Sequence, residues 1–379
     1  MRVLVDYRPA LRHRSGVGEY AHELIRALLA TSGRESTDDP IEVTLFSSSW
    51  KDRLRLPDDL ASAARVDRRV PVKVLNFAWH RLEWPTAESL TGNVFDVTHS
   101  FHPLILPSRH AAGVVTIHDL DFLSHPERTR AEIRRDYPAL VRSHAHRADR
   151  IVVNSHFTGA EVERRLEVGA DKITVCVPGA PDWTPRHAPP ADDAYVLFFG
   201  TLEPRKNVGA LLDAYEALAT RRSDLPPLVL AGGETPEARA WLERIARPPL
   251  NRLVRHVGYV DPAKRRSLYE GARLLVQPSF DEGFGMPVLE AMTLGVPVIA
   301  ARRGALPEVV GDAGPLVDPE SADELASAIE RLLDDDALWA ASAAKGPLRA
   351  HHFRWEESAR QLAEAYRLAL QHRVSRRPA

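Results

Sequence analysis

Short β-branched runs alternate along the chain with longer amphipathic stretches. In the first half, apolar runs at 2–5, 41–46, 94–98, 113–117, 150–153 and 173–177 predict strands, and the periodicity of 17–30 and 129–148 predicts helices between them. Residues 178–193 (PGAPDWTPRHAPPADD) break the pattern with five prolines and no apolar period. The alternation then restarts. Strands are predicted at 195–199, 227–231, 253–257, 273–277 and 296–300, with helices near 206–220, 236–246, 262–271 and 287–294. A last amphipathic stretch covers 354–372. This order predicts an α/β chain of two tandem, doubly wound domains with parallel sheets. The expected division is an N-terminal domain at 1–178, a linker at 179–193, a C-terminal domain at 194–350, and a helix within 351–379 that packs back toward the N-terminal domain. Open α/β sheets bind ligands at the carboxyl ends of their strands, so two such domains facing each other would place the site in the cleft between them.

Composition narrows the class. Fifty Lys and Arg against 52 Asp and Glu leave a formal net charge of −2, which argues against a general nucleic-acid binder. No apolar run approaches the ~20 residues of a membrane span. The N-terminus meets Asp6 after three apolar residues, too early for a signal peptide. Cys176 is the single cysteine, so an intramolecular disulfide and a cysteine-based zinc site are excluded and a reducing, cytoplasmic setting is expected.

The strongest chemical signal is RLLVQPSFDEGFGMPVLEAMTLGVPVIA at 273–300, which reads as strand, loop, helix, strand. Gly283 and Gly285 lie in the loop, and Pro287 falls where a first helical turn begins. Glycines admit close approach of a ligand, and free N–H groups at a helix start bind anions, so the backbone of Phe284, Gly285, Met286, Pro287 and Val288 suits a phosphate. Glu282 and Glu290 flank the loop with seven residues between them, and each carboxylate can accept two hydroxyl hydrogen bonds from a vicinal diol. For an isolated Glu the alternative is a surface acid favouring the helix dipole.

This stretch resembles the E-x7-E motif of retaining glycosyltransferases with the GT-B fold, the family 4 group. The resemblance is close over 275–314, including GVPVIA and GALPEVVGDAG, and extends more loosely over almost the whole chain. It implies two Rossmann-like domains facing across a cleft, with Glu282 on hydroxyls of a donor hexose, Glu290 on the nucleotide ribose, and the backbone between them on the diphosphate. Strand 195–199 is followed by GTLEPRKN, where Arg205 and Lys206 can neutralise a diphosphate and stabilise it as a leaving group. Alone, such a pair reads as a solvated basic loop. The family carries a similar pair in a G-x-x-x-x-x-K-N pattern, which Gly200, Lys206 and Asn207 satisfy.

In the first half, strand 113–117 ends at His118-Asp119. A histidine there faces the proposed cleft or caps the next turn. The resemblance implies a place beside the donor sugar, where His118 orients it rather than acting as base. Gly16 and Gly18 nominally fit a dinucleotide fingerprint, but no acid follows the second strand, which ends in Ser47-Ser48-Ser49. The resemblance makes them loop residues at the donor or acceptor. Arg12, His13 and Arg14 share that loop and suit an anionic acceptor or plain solvation. The donor base is expected against Gly232-Gly233 and Val257 to Val260. No metal is expected: Asp119-Leu120-Asp121 is a near miss for a chelating pair, and the cations can replace Mg²⁺. Residues 127–150 hold seven Arg against four acids, which suits peripheral contact with an anionic membrane or a solvated helix.

The sequence thus predicts a metal-independent, retaining glycosyltransferase of polysaccharide biosynthesis. It would move a hexose from a nucleoside diphosphate sugar to a hydroxyl of a glycan or lipid-linked glycan acceptor, with no nucleic-acid partner. GDP-mannose is the first choice of donor, because TIHDLDFLSHPE resembles bacterial mannosyltransferases of the group. The alternatives are a nucleotide-sugar epimerase of the same fold and an NAD-dependent oxidoreductase.

Overall fold

The computed structural model describes residues 1–11, 14, 16–32, 40–126, 136–186, 190–191 and 193–375. The chain divides into two units, Met1–Gly179 with Arg354–Ala379, and Ala180–Phe353.

The first unit is built on a seven-stranded parallel sheet. Its strands are β1 (Arg2–Asp6), β2 (Glu42–Ser48), β3 (Ala64–Arg68), β4 (Val97–Ser100), β5 (Ala112–Ile117), β6 (Arg150–Val153) and β7 (Ile173–Val175), in the order β3-β2-β1-β4-β5-β6-β7. Every residue of β5 is buried, as a parallel strand covered on both faces requires. Strand β3 (ARVDR) sits at the sheet edge and carries too few apolar residues to be read from the sequence. The helices are α1 (Val17–Ser32), α2 (Val72–Leu82), α3 (Ala87–Thr91), α4 (Asp121–Ser124), α5 (Tyr137–Arg147) and α6 (His156–Leu166). Along α1 the residues Tyr20, Ala21, Leu24, Ile25 and Leu28 are buried, a stripe at helical spacing.

The second unit holds a six-stranded parallel sheet, ordered β10-β9-β8-β11-β12-β13, from β8 (Tyr195–Phe199), β9 (Leu228–Ala231), β10 (Val254–Gly258), β11 (Ala272–Gln277), β12 (Val298–Ala301) and β13 (Leu316–Val317). Its helices are α7 (Val208–Ala219), α8 (Arg239–Ile245), α9 (Pro262–Glu270), α10 (Met286–Thr293), α11 (Leu306–Val310), α12 (Ala322–Asp334) and α13 (Asp336–Ala350). The last helix, α14 (Trp355–Ser375), returns to the first unit. Its buried Trp355, Ala359, Leu362, Tyr366 and Ala369 share one apolar cluster with α1.

Several sequence boundaries move. The strand expected at 94–98 lies at Val97–Ser100, because polar residues read as loop are interior. His99 bonds the Tyr366 hydroxyl through Nδ1 (2.8 Å) and Thr116 Oγ1 through Nε2 (2.8 Å), so both ring nitrogens of this buried histidine are satisfied. Of the segment expected as a linker, the described residues 180–186 are held by the second unit. From Ala180 onward the chain groups with the second unit, and the Arg186 guanidinium donates to the carbonyls of Glu270, Ala272 and Gly295. The helix expected at 206–220 begins at Val208, after a short turn at Pro204–Lys206 and a left-handed Asn207. The helix expected at 129–148 is seen as Tyr137–Arg147, and 127–135 lie outside the described residues.

Each sheet has a switch point where strand order reverses, between β1 and β4 in the first unit and between β8 and β11 in the second. The loops leaving the carboxyl ends of those strands are the expected ligand sites of such sheets.

Candidate active site

In the second unit the two loops at the switch point meet. The loop after β8 carries Arg205 and Lys206, and the loop after β11 carries Glu282. Lys206 Nζ lies 2.6 Å from Glu282 Oε1, and both side chains are about nine-tenths buried. Gln277 Nε2 (3.0 Å) and Ser279 Oγ (2.8 Å) donate to the same oxygen. The second oxygen, Oε2, faces Arg205 Nη1 at 3.6 Å. Arg205 also donates to the Asp281 carbonyl (3.0 Å) and to Glu203 (3.0 Å). Burial pushes the Glu282 pKa up, but the Lys206 and Arg205 charges and the bonds from Lys206 and Ser279 outweigh it and hold the group at about 2. Glu282 is therefore an anchored anion. Oε1 already accepts three bonds, and a ligand diol would meet this carboxylate chiefly through Oε2.

The sequence pattern singled out Glu282, Arg205 and Lys206 and passed over Gln277 and Ser279. Gln277 is fully buried at the end of β11, and its Oε1 has no hydrogen-bond partner among the described residues. A polar residue closing an otherwise apolar strand (RLLVQ) was the available signal. Asn207 ties the loop after β8 to those after β11 and β13, donating through Nδ2 to the carbonyls of Pro278 (3.1 Å) and Pro319 (2.7 Å).

Helix α10 starts at the glycine-rich loop. Gly285 caps it with φ +109, a conformation that L side chains rarely adopt, and a Cβ there would lie 2.7 Å from the Leu306 side chain. Gly285 brings no side chain to cap the helix. Pro287 has no N–H, and the Val288 amide donates to the Gly285 carbonyl (3.0 Å). Of the backbone expected to bind phosphate, the amides of Phe284, Gly285 and Met286 are thus better placed than those of Pro287 and Val288. The Phe284 ring is buried against Phe353. Glu290, one turn into α10, is buried with its Oε1 3.5 Å from Arg265 Nη1. Tyr269 is buried beside it, and burial and the Glu290 charge push that phenol's pKa well up. Arg265 and Tyr269 lie on α9, and nothing in their local sequence marked them. Val260 lies just past β10, at the same sheet edge.

The remaining expected site residues belong to the first unit. Gly16 takes φ +52 just before α1, and Gly18 lies inside its first turn, with the Tyr20 amide bonded to the Gly16 carbonyl (3.0 Å). Arg12 and His13 lie outside the described residues, and Arg14 bonds His22. His118 follows β5, its Nε2 donating to the Phe101 carbonyl (3.2 Å) and its ring edge-on to Tyr20. Burial lowers its pKa to about 4, so the imidazole is neutral at neutral pH, and Nε2 carries the hydrogen. The Asp119 carboxylate accepts the Asp121 amide (3.2 Å). Among the described residues no group of three or more His, Cys, Asp and Glu gathers as a metal site. In the basic stretch 127–150, the described arginines are engaged. Arg142 bonds Glu167 (3.0 Å), Arg147 bonds Glu83 through both nitrogens, and Arg150 bonds Thr174 (2.7 Å).

The chain is similar in sequence and in fold to known proteins. Residues 14–181 match the family described as Glycosyltransferase Family 4, and residues 193–335 match Glycosyl transferases group 1. O-antigen chain mannosyltransferase B of Escherichia coli is 30% identical over 391 residues, covering 97% of this chain and 100% of that protein. In fold, the chain is similar to sucrose-phosphate synthase from Thermosynechococcus elongatus (TM-score 0.77, 21% identity, 97% of this chain and 98% of that one). It is likewise similar to WaaG, a glycosyltransferase involved in lipopolysaccharide biosynthesis (TM-score 0.70, 16% identity, 96% and 99%). With its two parallel-sheet units and full-length likeness to a bacterial mannosyltransferase, the chain belongs to the GT-B glycosyltransferases, a family 4 segment followed by a group 1 segment.

Proposed function

We propose that the chain transfers a hexose, mannose in the first instance, from a nucleoside diphosphate sugar to a hydroxyl of a glycan or lipid-linked glycan, with retention at the anomeric carbon and without a metal ion. The observation that carries this reading is the buried cluster of Lys206, Arg205 and Glu282 at the switch point of the second sheet, beside the uncapped start of α10. The cations and the amides of Phe284 to Met286 would hold the diphosphate and stabilise the charge it gains on leaving. Glu282 Oε2 would hold the hexose hydroxyls and Glu290 the ribose. The acceptor would approach on the face the diphosphate leaves, and a departing phosphate oxygen would take its proton. The full-length likeness to a mannosyltransferase supports mannose, with GDP-mannose as donor. We place the reaction in the cytoplasm, where a lone buried cysteine stays reduced.

Thermal shifts with UDP-, GDP- and ADP-sugars test the donor. A ligand at ~100 times its Kd adds about 2.7 kcal/mol of stability. A shift with GDP-mannose alone supports the reading, and a shift only with another base overturns the donor. The anomeric configuration of the product, read by NMR, tests retention.

A further inference from the structure

We infer that a polar cavity at the amino end of the first sheet holds one sugar ring of a glycan chain, apart from the carboxyl edge where such sheets bind their reacting ligands. The cavity has a volume of about 140 Å³, room for roughly four or five waters or a single pyranose. It lies beside the first residues of β4 and β5 and the residue before β6, and is walled by the ends of α5 and α14. Thr98, on β4, lines it. That residue is 1% exposed, and its Oγ1 has no hydrogen-bond partner among the described residues. A buried hydroxyl without a partner costs stability, and valine would fill the same space without that cost. Asp149 is a second group with capacity left. It is 2% exposed, and its Oδ2 accepts the Gly113 amide (2.8 Å) while His372 Nδ1 lies 3.3 Å from Oδ1. Arg373 Nη1 stands 3.8 Å from Oδ2, beyond hydrogen-bond reach. Carboxylate and guanidinium thus face each other across a gap that a ligand hydroxyl can close.

The chemistry of the wall selects the occupant. Arg147 holds Glu83 through both terminal nitrogens, and Arg373 is set against Asp149, so two cations balance two acids around the cavity. A ligand with a net charge gains little from a balanced wall, whereas a neutral polyol can use both signs. Each sugar hydroxyl donates one hydrogen bond and accepts others. Asp149 accepts, Arg373 donates, and Thr98 does either, so together they match a ring carrying adjacent hydroxyls. Ser108 Oγ is already given to Glu88 Oε1 (2.6 Å), which leaves recognition to those three. The choice of a glycan residue over another small polyol rests on the proposed glycan acceptor; the open groups of the cavity do not depend on it. Held here, a growing chain would stay on the enzyme between additions.

Hydrogen exchange of the full chain, titrated with an α-linked mannose tetrasaccharide, reads the site locally. Peptides covering 96–113 and 365–375 should gain protection as the tetrasaccharide is added. Thr98→Val should weaken the apparent affinity at least about fivefold and leave the melting temperature equal or higher, because the lost hydroxyl had no protein partner. Arg373→Met should weaken it about tenfold or more, since a charged donor is removed. Free mannose and inorganic phosphate are the competing probes. Protection by free mannose without the tetrasaccharide would make the cavity a metabolite site and overturn the inference, as would protection by phosphate, no protection at all, or folded variants that bind like wild type. A Thr98→Val protein that melts lower yet binds the tetrasaccharide as tightly would also overturn it, because the hydroxyl would then serve the fold alone. The assay reads binding without transfer, so its failure leaves the reaction proposed for the second unit's cluster standing.

Discussion

Replacing Lys206 by methionine removes the cation nearest Glu282 while keeping much of the side chain's volume. The cost follows from the geometry. Glu282 is 5% exposed and held at about 2 rather than its ordinary 4.5, and a gap of that size is worth about 3 kcal/mol of folding stability at neutral pH. Breaking a buried pair by deleting one partner costs about 3–5 kcal/mol. The lower end applies, because Gln277 and Ser279 still donate to Oε1 and Arg205 still faces Oε2. The sign with pH is set by the lowered value. The contribution is complete above about 4.5 and is lost as pH falls from there toward 2. The deficit of Lys206→Met should therefore be about 3 kcal/mol at neutral pH and narrow through that window, as Glu282 becomes protonated in both proteins. Urea unfolding with hydrogen-exchange labelling, read on peptides covering 272–293, reports the second unit by itself. Adding Glu282→Gln to Lys206→Met should recover most of the loss, because no uncompensated charge is left buried. A deficit under about 1 kcal/mol, or a double variant no more stable than Lys206→Met, would refute this account of the cluster.

Three further outcomes are expected. Glu282→Ala should lower transfer at least about 10²-fold while nucleoside diphosphate binding holds, since Lys206 loses its partner and turns to the phosphates; calorimetry showing both falling together would end the proposed division of roles. Gly304→Ala should destabilise the second unit by more than about 1–2 kcal/mol, because Gly304 has φ +61 and a Cβ there would lie 2.7 Å from the Glu282 backbone, and an unchanged melting temperature would contradict that packing. Turnover should survive excess EDTA, and a loss restored by Mg²⁺ would remove the metal-independent reading.

How much of this was legible beforehand depends on the range of each interaction. The strands β5, β8 and β11 were readable because parallel strands covered on both faces need continuous apolar runs, and Pro287 and Gly285 marked the start of α10 through backbone geometry alone. The paired Glu282 and Glu290 were readable through their spacing about a loop that had to admit an anion. Edge strands β3 and β13 were not, since an edge demands little burial and their apolar signal is short.

Chain-local properties determined the two doubly wound units and named most of the charged residues of the site. Tertiary structure alone decided what those charges do to one another. Lys206 and Glu282 are 76 positions apart, and only the reversal of strand order between β8 and β11 brings their loops together. The same packing sets Gln277 and Ser279 on one carboxylate oxygen and Arg265 beside Glu290. Burial then gives these contacts their strength, because a charge withdrawn from water must be answered by whichever partners the fold has placed within reach.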